Sequence, residues 1–190
     1  MSTNHLNNSA GTIGATIGAY CQVEEYVNGG SHRTVINIEA YPLTHTDNTS
    51  SGASGSILLY TFPKGYIKTL GGCCKWTKIS PDGTLLTAIA ALEIGVGSTA
   101  VGTDTLNALT GTTEDIVTGK GFTLSSVEAV TITGPATYTA MAVFDGTSTA
   151  QAVYLNEGAS AATSTGDTTL PLTGQIVIDW MNYGYAGDLS

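Results

Sequence analysis

Residues 127–184 read VEAVTITGPATYTAMAVFDGTSTAQAVYLNEGASAATSTGDTTLPLTGQIVIDWMNYG, and this stretch decides the fold class. Apolar side chains alternate there with Thr, Ser or Gln in short runs, and turn residues separate the runs. Such alternation is typical of strands that bury one face. The stretch has little charge and no catalytic triad, metal cluster or phosphate loop. It therefore predicts a packing module, with strands at 127–133, 138–144, 150–155, 168–172 and 175–183 and a tight turn at 144–147.

Strand and turn signals continue upstream of this stretch. In the predicted strand 33–41, Ile36 and Ile38 share one face with Ala40, and Pro42 is expected to end the strand. A turn-rich loop is predicted at 46–55. Further strands are predicted at 56–62, 66–70 and 73–79, the last two being separate or one strand kinked at a Gly71-Gly72 bulge, with turns at 63–65 and 81–83.

The middle of the chain gives a weaker pattern. Residues 84–96 alternate with period 2, but their leucines and isoleucines could also line a helix face; the flanking turn residues favour a strand. Residues 97–121 are expected to form a long connection. It would hold one helical turn at most, near 103–109 or 112–116, where Glu114 and Asp115 could favour a helix start.

These eight or nine strands without a long helix predict an all-β protein. The expected fold is an antiparallel β-sandwich, with a jelly roll as the favoured topology. We expect a sandwich domain at 31–190 and an N-terminal arm at 1–30. With 11% charged residues, few charges are present to protect exposed strand edges, so we expect sister subunits to cover them.

The arm begins with a polar, Asn-rich segment, followed by the tandem repeat TIGA-TIGA at 12–19. It is interpreted as a flexible terminus or as an extended segment that orders on a neighbouring subunit. The first 30 residues hold no Lys or Arg, which argues against a secretory leader and favours synthesis in the cytoplasm. The apolar stretch 85–92 is too short to span a membrane.

Charge argues against two kinds of partner. The formal net charge of −9 disfavours nucleic acid and anionic membrane surfaces. Four of the six cations lie between residues 64 and 78, and they are interpreted as a solvated strand face: Lys64, Lys68, Lys75 and Lys78.

The sequence offers no anchor for catalysis or for a metal. The odd set Cys21, Cys73 and Cys74 does not suit a disulfide framework or a metal site, so small buried side chains are expected. His5, His32 and His45 stand in no hydrolase or metalloprotease motif and are expected on the surface or in the core. The carboxylates are scattered, although a sandwich could bring distant ones together. No catalytic, cofactor-binding or metal-binding residue is therefore predicted, and no cofactor.

Two remaining signals have alternative interpretations. The oxygen-rich loops at 47–50 and 145–147 lack EF-hand spacing and are expected to be ordinary turns rather than calcium sites. The aromatic residues Trp76, Trp180, Tyr183 and Tyr185 could form a platform for sugars. For Trp180, a place in the core is favoured, and the tyrosines could equally serve a protein interface.

Several strand and turn phrases stand out: YTFPKG (60–65), LTGTTEDI (109–116), TITG (131–134), AVFDGTSTA (142–150), YLN (154–156) and LTGQIVIDW (172–180). These phrases resemble virion structural proteins of tailed bacteriophages, notably of phages that infect aquatic bacteria. The resemblance covers roughly residues 57–183. It implies a non-enzymatic decoration or cement protein with a β-sandwich fold, often trimeric, bound to the major capsid protein on the head surface.

The function expected from these observations is thus a capsid decoration protein that stabilises the head lattice, works on the virion and is assembled in the host cytoplasm. The arm at 1–30 is the candidate lattice contact, and the sandwich edges are candidate subunit contacts. Two alternatives stay open: a tail, neck or fibre-base component of the same fold, and a carbohydrate-binding β-sandwich module. An enzyme is the weakest alternative.

Overall fold

A computed structural model describes residues 10–47, 52–79, 91–102, 109–122, 132–134, 142–160 and 168–184. These parts of the chain are mostly antiparallel β-strand with almost no helix, which confirms the all-β prediction. The strands are β1 (Thr12–Ile13), β2 (Cys21–Asn28), β3 (Ser31–Asp47), β4 (Gly52–Thr61), β5 (Tyr66–Ile79), β6 (Ala91–Gly97), β7 (Val117–Phe122), β8 (Ile132–Gly134), β9 (Val143–Asp145), β10 (Ala152–Ser160) and β11 (Thr168–Asn182). The helical elements are one turn each, α1 (Ala15–Gly18) and the 3-10 turn η1 (Gly111–Thr113).

The strands form one curled sheet with two halves. The first half has the order β7-β6-β10-β4, with β1 added against β4. The second half has the order β2-β3-β11-β5, with β8 and β9 both added against β5. The halves join where the end of β3 pairs with β4, at Thr46 opposite Ser54. The jelly-roll topology stays a prediction.

The core lies between these halves, because alternate residues of the central strands point into it. On β11, Ile176, Ile178 and Trp180 are completely buried, and on β3 Ile36 is buried directly opposite Ile176. The first half contributes Leu59, Ile94, Val96, Val153 and Leu155 to the same cluster. Each such side chain stabilises the fold by about 1.5–3 kcal/mol relative to an exposed position.

The prediction that Pro42 ends the third strand is wrong, since β3 continues to Asp47. Pro42 lies directly opposite Pro171 of β11. Neither proline has an N–H to donate, so the two residues can face each other without leaving a donor unpaired. The predicted alternation does fail at Ala40, which is exposed with φ +48° beside a bulge in the β3–β11 register.

The bulge predicted at Gly71-Gly72 is confirmed, and β5 is one continuous strand. The register shifts so that Gly71 faces Asp179 while Thr69 faces Trp180, and Leu70 is the extra residue. Gly71 has φ +138°, which an L side chain rarely adopts. The segments predicted as 168–172 and 175–183 are likewise one strand, β11, with a bulge near Thr173.

The prediction of a connection without strands at 97–121 is wrong at its C-terminal end, where β7 pairs with β6. Gly-rich VTGKGF lacks the apolar alternation by which a strand is recognised. The expected single turn is present as η1. The strand favoured at 84–96 is confirmed for β6, and residues 84–90 lie outside the described part, as do the turn at 81–83 and residues 127–131 and 138–141.

The first 30 residues are not a separate arm over the part that the structure describes. Residues 12–18 pack on β4, where the tandem repeat places Ile17 completely in the core and Gly14 so close to the Leu58 carbonyl that a side chain would collide. Strand β2 then pairs with β3 over its whole length. Residues 1–9 lie outside the described part. Nowhere in the described part is there a helix long and apolar enough to cross a membrane.

Candidate interaction surface

Both described histidines are core residues with acidic partners. His32 stacks on Trp180, and its Nδ1 lies 2.8 Å from Oε1 of Glu25. The other carboxylate oxygen of Glu25 accepts a 2.7 Å hydrogen bond from the Tyr60 hydroxyl, which itself accepts one from the backbone N–H of Gly11. Burial and the Glu25 carboxylate raise the pKa of Tyr60. This network fastens the N-terminal residues to the core. His5 lies outside the described residues.

His45 forms the second pair, with Glu157. The two side chains are almost completely buried and hydrogen-bonded through Nε2 of His45. Among the described residues, Nδ1 of His45 is the buried side-chain atom without a hydrogen-bond partner. The pair links β3 of one half of the sheet to β10 of the other. The near-complete burial of both side chains suits a structural role.

Asn156 is a buried clamp for the segment that precedes β7. Its Oδ1 accepts hydrogen bonds from the Ser56 hydroxyl and from the N–H of Val101, at 2.7 and 3.0 Å. Its Nδ2 donates to the carbonyls of Thr99 and Thr113, at 2.9 and 2.8 Å. All four hydrogen-bonding positions of the amide are used.

Two carboxylates do come together, those of Glu93 and Glu114. A methyl group placed on Gly119 would lie 2.5 Å from an oxygen of Glu93 and 2.7 Å from an oxygen of Glu114. Burial raises the pKa of Glu93, and the nearby Glu114 charge raises it further, against a hydrogen bond from the Leu109 N–H that lowers it. Each carboxylate accepts a backbone N–H, so both are partnered. The described residues include no group of three or more metal-binding side chains.

The aromatic and cysteine predictions have mixed outcomes. Trp180 is completely buried, as favoured, and donates to Thr34. Tyr183 is half-buried, and the side chain of Trp76 and all of Tyr185 lie outside the described part. All three cysteines are free thiols, but Cys73 is exposed, so the expectation of burial is wrong for it. Since β5 alternates, Cys73 must face outward if Cys74 is in the core.

The oxygen-rich loop at 145–147 forms a local turn that Asp145 and Thr147 hold together. Asp145 accepts hydrogen bonds from both the N–H and the hydroxyl of Thr147, which lowers the pKa of Asp145. The loop at 47–50 lies largely outside the described residues.

Grooves lie on the outer face of the second half of the sheet. We call this surface the outer face, formed by three rows of side chains that cross β2, β3, β11 and β5. The rows are Tyr26–Arg33–Asp179–Gly71, Glu24–Val35–Val177–Cys73 and Gln22–Asn37–Gln175–Lys75. A groove of about 570 Å³ crosses these rows, and another of about 520 Å³ lies beside Tyr26, Arg33 and Asp179.

Hydrogen bonds fix several side chains of the outer face. Arg33 donates to both carboxylate oxygens of Asp179, at 2.7 and 3.0 Å. Gln175 donates to Asn37 at 2.7 Å. Tyr26 is 57% exposed and donates its hydroxyl to Glu24, whose charge raises the pKa of Tyr26.

The second surface feature is the free edge beside β2. Val23 and Val27 face inward, opposite Ile36 and His32, which are buried. The two valines are nevertheless 38% and 44% exposed. The core thus reaches solvent along this edge, where β2 pairs with β3 on one side and with no described strand on the other. We call this surface the β2 edge.

Sequence reasoning missed both surfaces because it placed β2 in an arm. The signal was present as alternation over 21–28, where Cys21, Val23 and Val27 alternate with Gln22, Glu24 and Tyr26. The lysines fit their predicted role in part, since Lys64 and Lys75 are exposed and Lys75 lies on the outer face.

No protein-family model matches this chain, and neither the curated proteins nor the solved structures include a significant match.

Proposed function

We propose that this chain is a structural protein of a bacteriophage particle, a decoration or cement protein that binds the outer surface of the head. It would contact the major capsid protein, act as a homo-oligomer and hold neighbouring capsid subunits together without catalysis. The observation that carries the proposal is the β2 edge, which presents Val23 and Val27 to solvent beside a buried core. An edge of this kind favours a subunit contact.

The sequence phrases that resemble phage particle proteins support the proposal through their positions. LTGQIVIDW covers the central part of β11, and YLN lies in β10. The resemblance therefore falls on the strands that carry the core, together with the Asp145–Thr147 turn. A stable β core and a subunit contact are what a load-bearing particle component requires.

The charges on β2 bear on the symmetry of the oligomer. If two β2 strands paired antiparallel about a two-fold axis through Glu24 or Glu25 at the strand centre, that glutamate would face its own copy. Like charges directly opposite each other are destabilising. A head-to-tail contact avoids this like-charge pair, and with a rotation of 120° between copies it would close into the proposed trimer.

The copy number of the chain in purified particles tests the proposal. Quantitative mass spectrometry, with the major capsid protein as internal reference, should find hundreds of copies per particle. A dozen or fewer copies would instead favour a tail, neck or fibre-base component. Absence of the chain from purified particles would contradict both.

A further inference from the structure

We propose that the outer face is a binding site for a neutral carbohydrate chain, in addition to the structural role proposed above. The site is centred on the exposed ring of Tyr26, the Arg33–Asp179 pair and the Asn37–Gln175 pair. This proposed binding site does not depend on the proposal that the protein is part of a phage particle.

Tyr26 supplies the apolar surface of the site. A sugar ring has one or two faces of C–H groups, and an aromatic ring that is both exposed and held in place can stack on such a face. Tyr26 meets both conditions, because more than half of it is accessible and its hydroxyl is tied to Glu24. It lines both grooves of the outer face. Tyrosine combines such a face with a polar tip.

The polar side chains supply the directional contacts. Arg33 and Asp179 hold each other in a planar, two-bonded pair, and Asn37 and Gln175 share one hydrogen bond. The two amides together carry four hydrogens and two oxygens, of which their mutual bond uses one of each. Such planar donor and acceptor groups match adjacent sugar hydroxyls, which both donate and accept.

The dimensions suit a chain rather than a single sugar. The first and third rows are four residues apart along each strand, which corresponds to about 13 Å. The grooves of about 570 and 520 Å³ lie in the range typical of small-molecule sites. Space opens beside Asp179 because the facing residue is Gly71, which has no side chain.

The charges select a neutral ligand. Arg33 is paired with Asp179. The other charged residues of the outer face, Glu24 and Lys75, have opposite signs, so this surface has no net charge. The chain as a whole carries a formal charge of −9. Acidic sugars would therefore be repelled. A protein partner is less suitable, because Val35 and Val177 at the centre of the surface are half-buried and are surrounded by polar and charged side chains, whereas interface cores are depleted of charge.

The test is binding of the intact protein to defined sugars. Isothermal titration calorimetry and affinity electrophoresis would use neutral probes (glucan, mannan, galactan, xylan and chitin oligosaccharides) and polygalacturonate as the acidic counterpart. We expect at least one neutral probe to bind and polygalacturonate not to bind. Absence of binding by every neutral probe at millimolar concentration, or preference for polygalacturonate, would overturn the proposal.

The variants separate this site from the β2 edge. Tyr26→Ala and Gln175→Ala should each weaken binding at least tenfold, whereas Tyr26→Phe should retain most of it by keeping the ring. Val27→Glu is the matched control, because Val27 is next to Tyr26 on β2 but faces the other side, and it should bind as the unaltered protein does. Thermal melting would check that each variant folds. If Tyr26→Ala instead dissociates the oligomer without loss of sugar binding, the outer face is a subunit contact and the proposal is wrong.

Discussion

The imidazole of His32 lies flat on the indole of Trp180, with 3.8 Å between ring centroids and 14° between ring planes. The two residues are paired across β3 and β11, so the sheet register itself brings the rings together. Both are buried, and each has a polar partner, Glu25 for the imidazole and Thr34 for the indole. This stack joins the centre of the core to the network that holds residues 11–25.

Replacing Trp180 with Ala should destabilise the protein by about 3–5 kcal/mol, because it leaves a large cavity and removes the hydrogen bond from the indole to Thr34. Urea denaturation followed by circular dichroism measures the change. Val143→Ala is the control, since Val143 is 65% exposed, and it should change stability by less than about 0.5 kcal/mol. Equal effects of the two substitutions would show that Trp180 is not in the core.

Asn156→Ala should release the segment that precedes β7. It removes four hydrogen bonds and leaves the buried N–H of Val101 without its partner, at a cost of about 2–4 kcal/mol. Hydrogen exchange should accelerate at Val101 and along 109–113, while β11 keeps its protection. Asn37→Ala is the matched amide control, because Asn37 lies on the outer face. Unchanged exchange in the Asn156 variant would contradict the clamp.

Glu93 should make stability depend on pH. Its pKa is raised in the folded protein above the usual value of 4.5, chiefly by burial, so the folded state holds this proton more tightly than the unfolded state. Protonated Glu93 therefore contributes to the stability of the fold below pH 4.5. This contribution is lost as the pH rises through the higher pKa of the folded state.

Glu93→Gln should remove that loss of stability. The urea midpoint of the variant should therefore rise relative to that of the unaltered protein as the pH rises from 4 to 7. Glu39→Gln, at an exposed position, serves as control and should follow the unaltered protein. A constant difference between the Glu93 variant and the unaltered protein across this range would refute the assignment.

The three thiols should differ in reactivity. Cys73 is exposed, Cys74 is buried, and burial raises the pKa of Cys21 to about 11, which leaves little thiolate near neutral pH. Iodoacetamide at pH 8, followed by peptide mass spectrometry, should label Cys73 first. Faster labelling of Cys74 than of Cys73 would contradict the structure, because it would mean that the side of β5 that carries Cys74 faces solvent.

Val27→Glu should dissociate the oligomer by placing a charge on the β2 edge. Light scattering after size exclusion should give about three times the 19.4 kDa chain mass for the unaltered protein and a smaller mass for the variant. Tyr26→Ala, its neighbour on the other face, should leave the mass unchanged. A monomeric unaltered protein would argue against the β2 edge as a subunit contact.

Much of the fold could be predicted from local pattern. The alternation of Ile176, Ile178 and Trp180 identified β11 and its buried face, and Gly71-Gly72 identified the bulge of β5. Prediction failed where pairing across the sheet decided the outcome. Pro42 lies inside β3 directly opposite Pro171, and no local signal shows that pairing.

The surfaces were harder to predict than the fold. The rows of the outer face join residues as distant in sequence as Arg33 and Asp179, and only the register brings them together. Prediction of the β2 edge would have required knowing that Val23 and Val27 lie at the boundary between the core and solvent. Alternation showed that they share a face but not that this face reaches solvent.

A reconstruction of the assembled particle tests the central claim most directly. The proposal predicts density for this chain on the outer surface of the head, at the points where major capsid proteins meet, with the β2 edge in contact with another copy. Density for the chain only in the tail, or none on the particle, would contradict it.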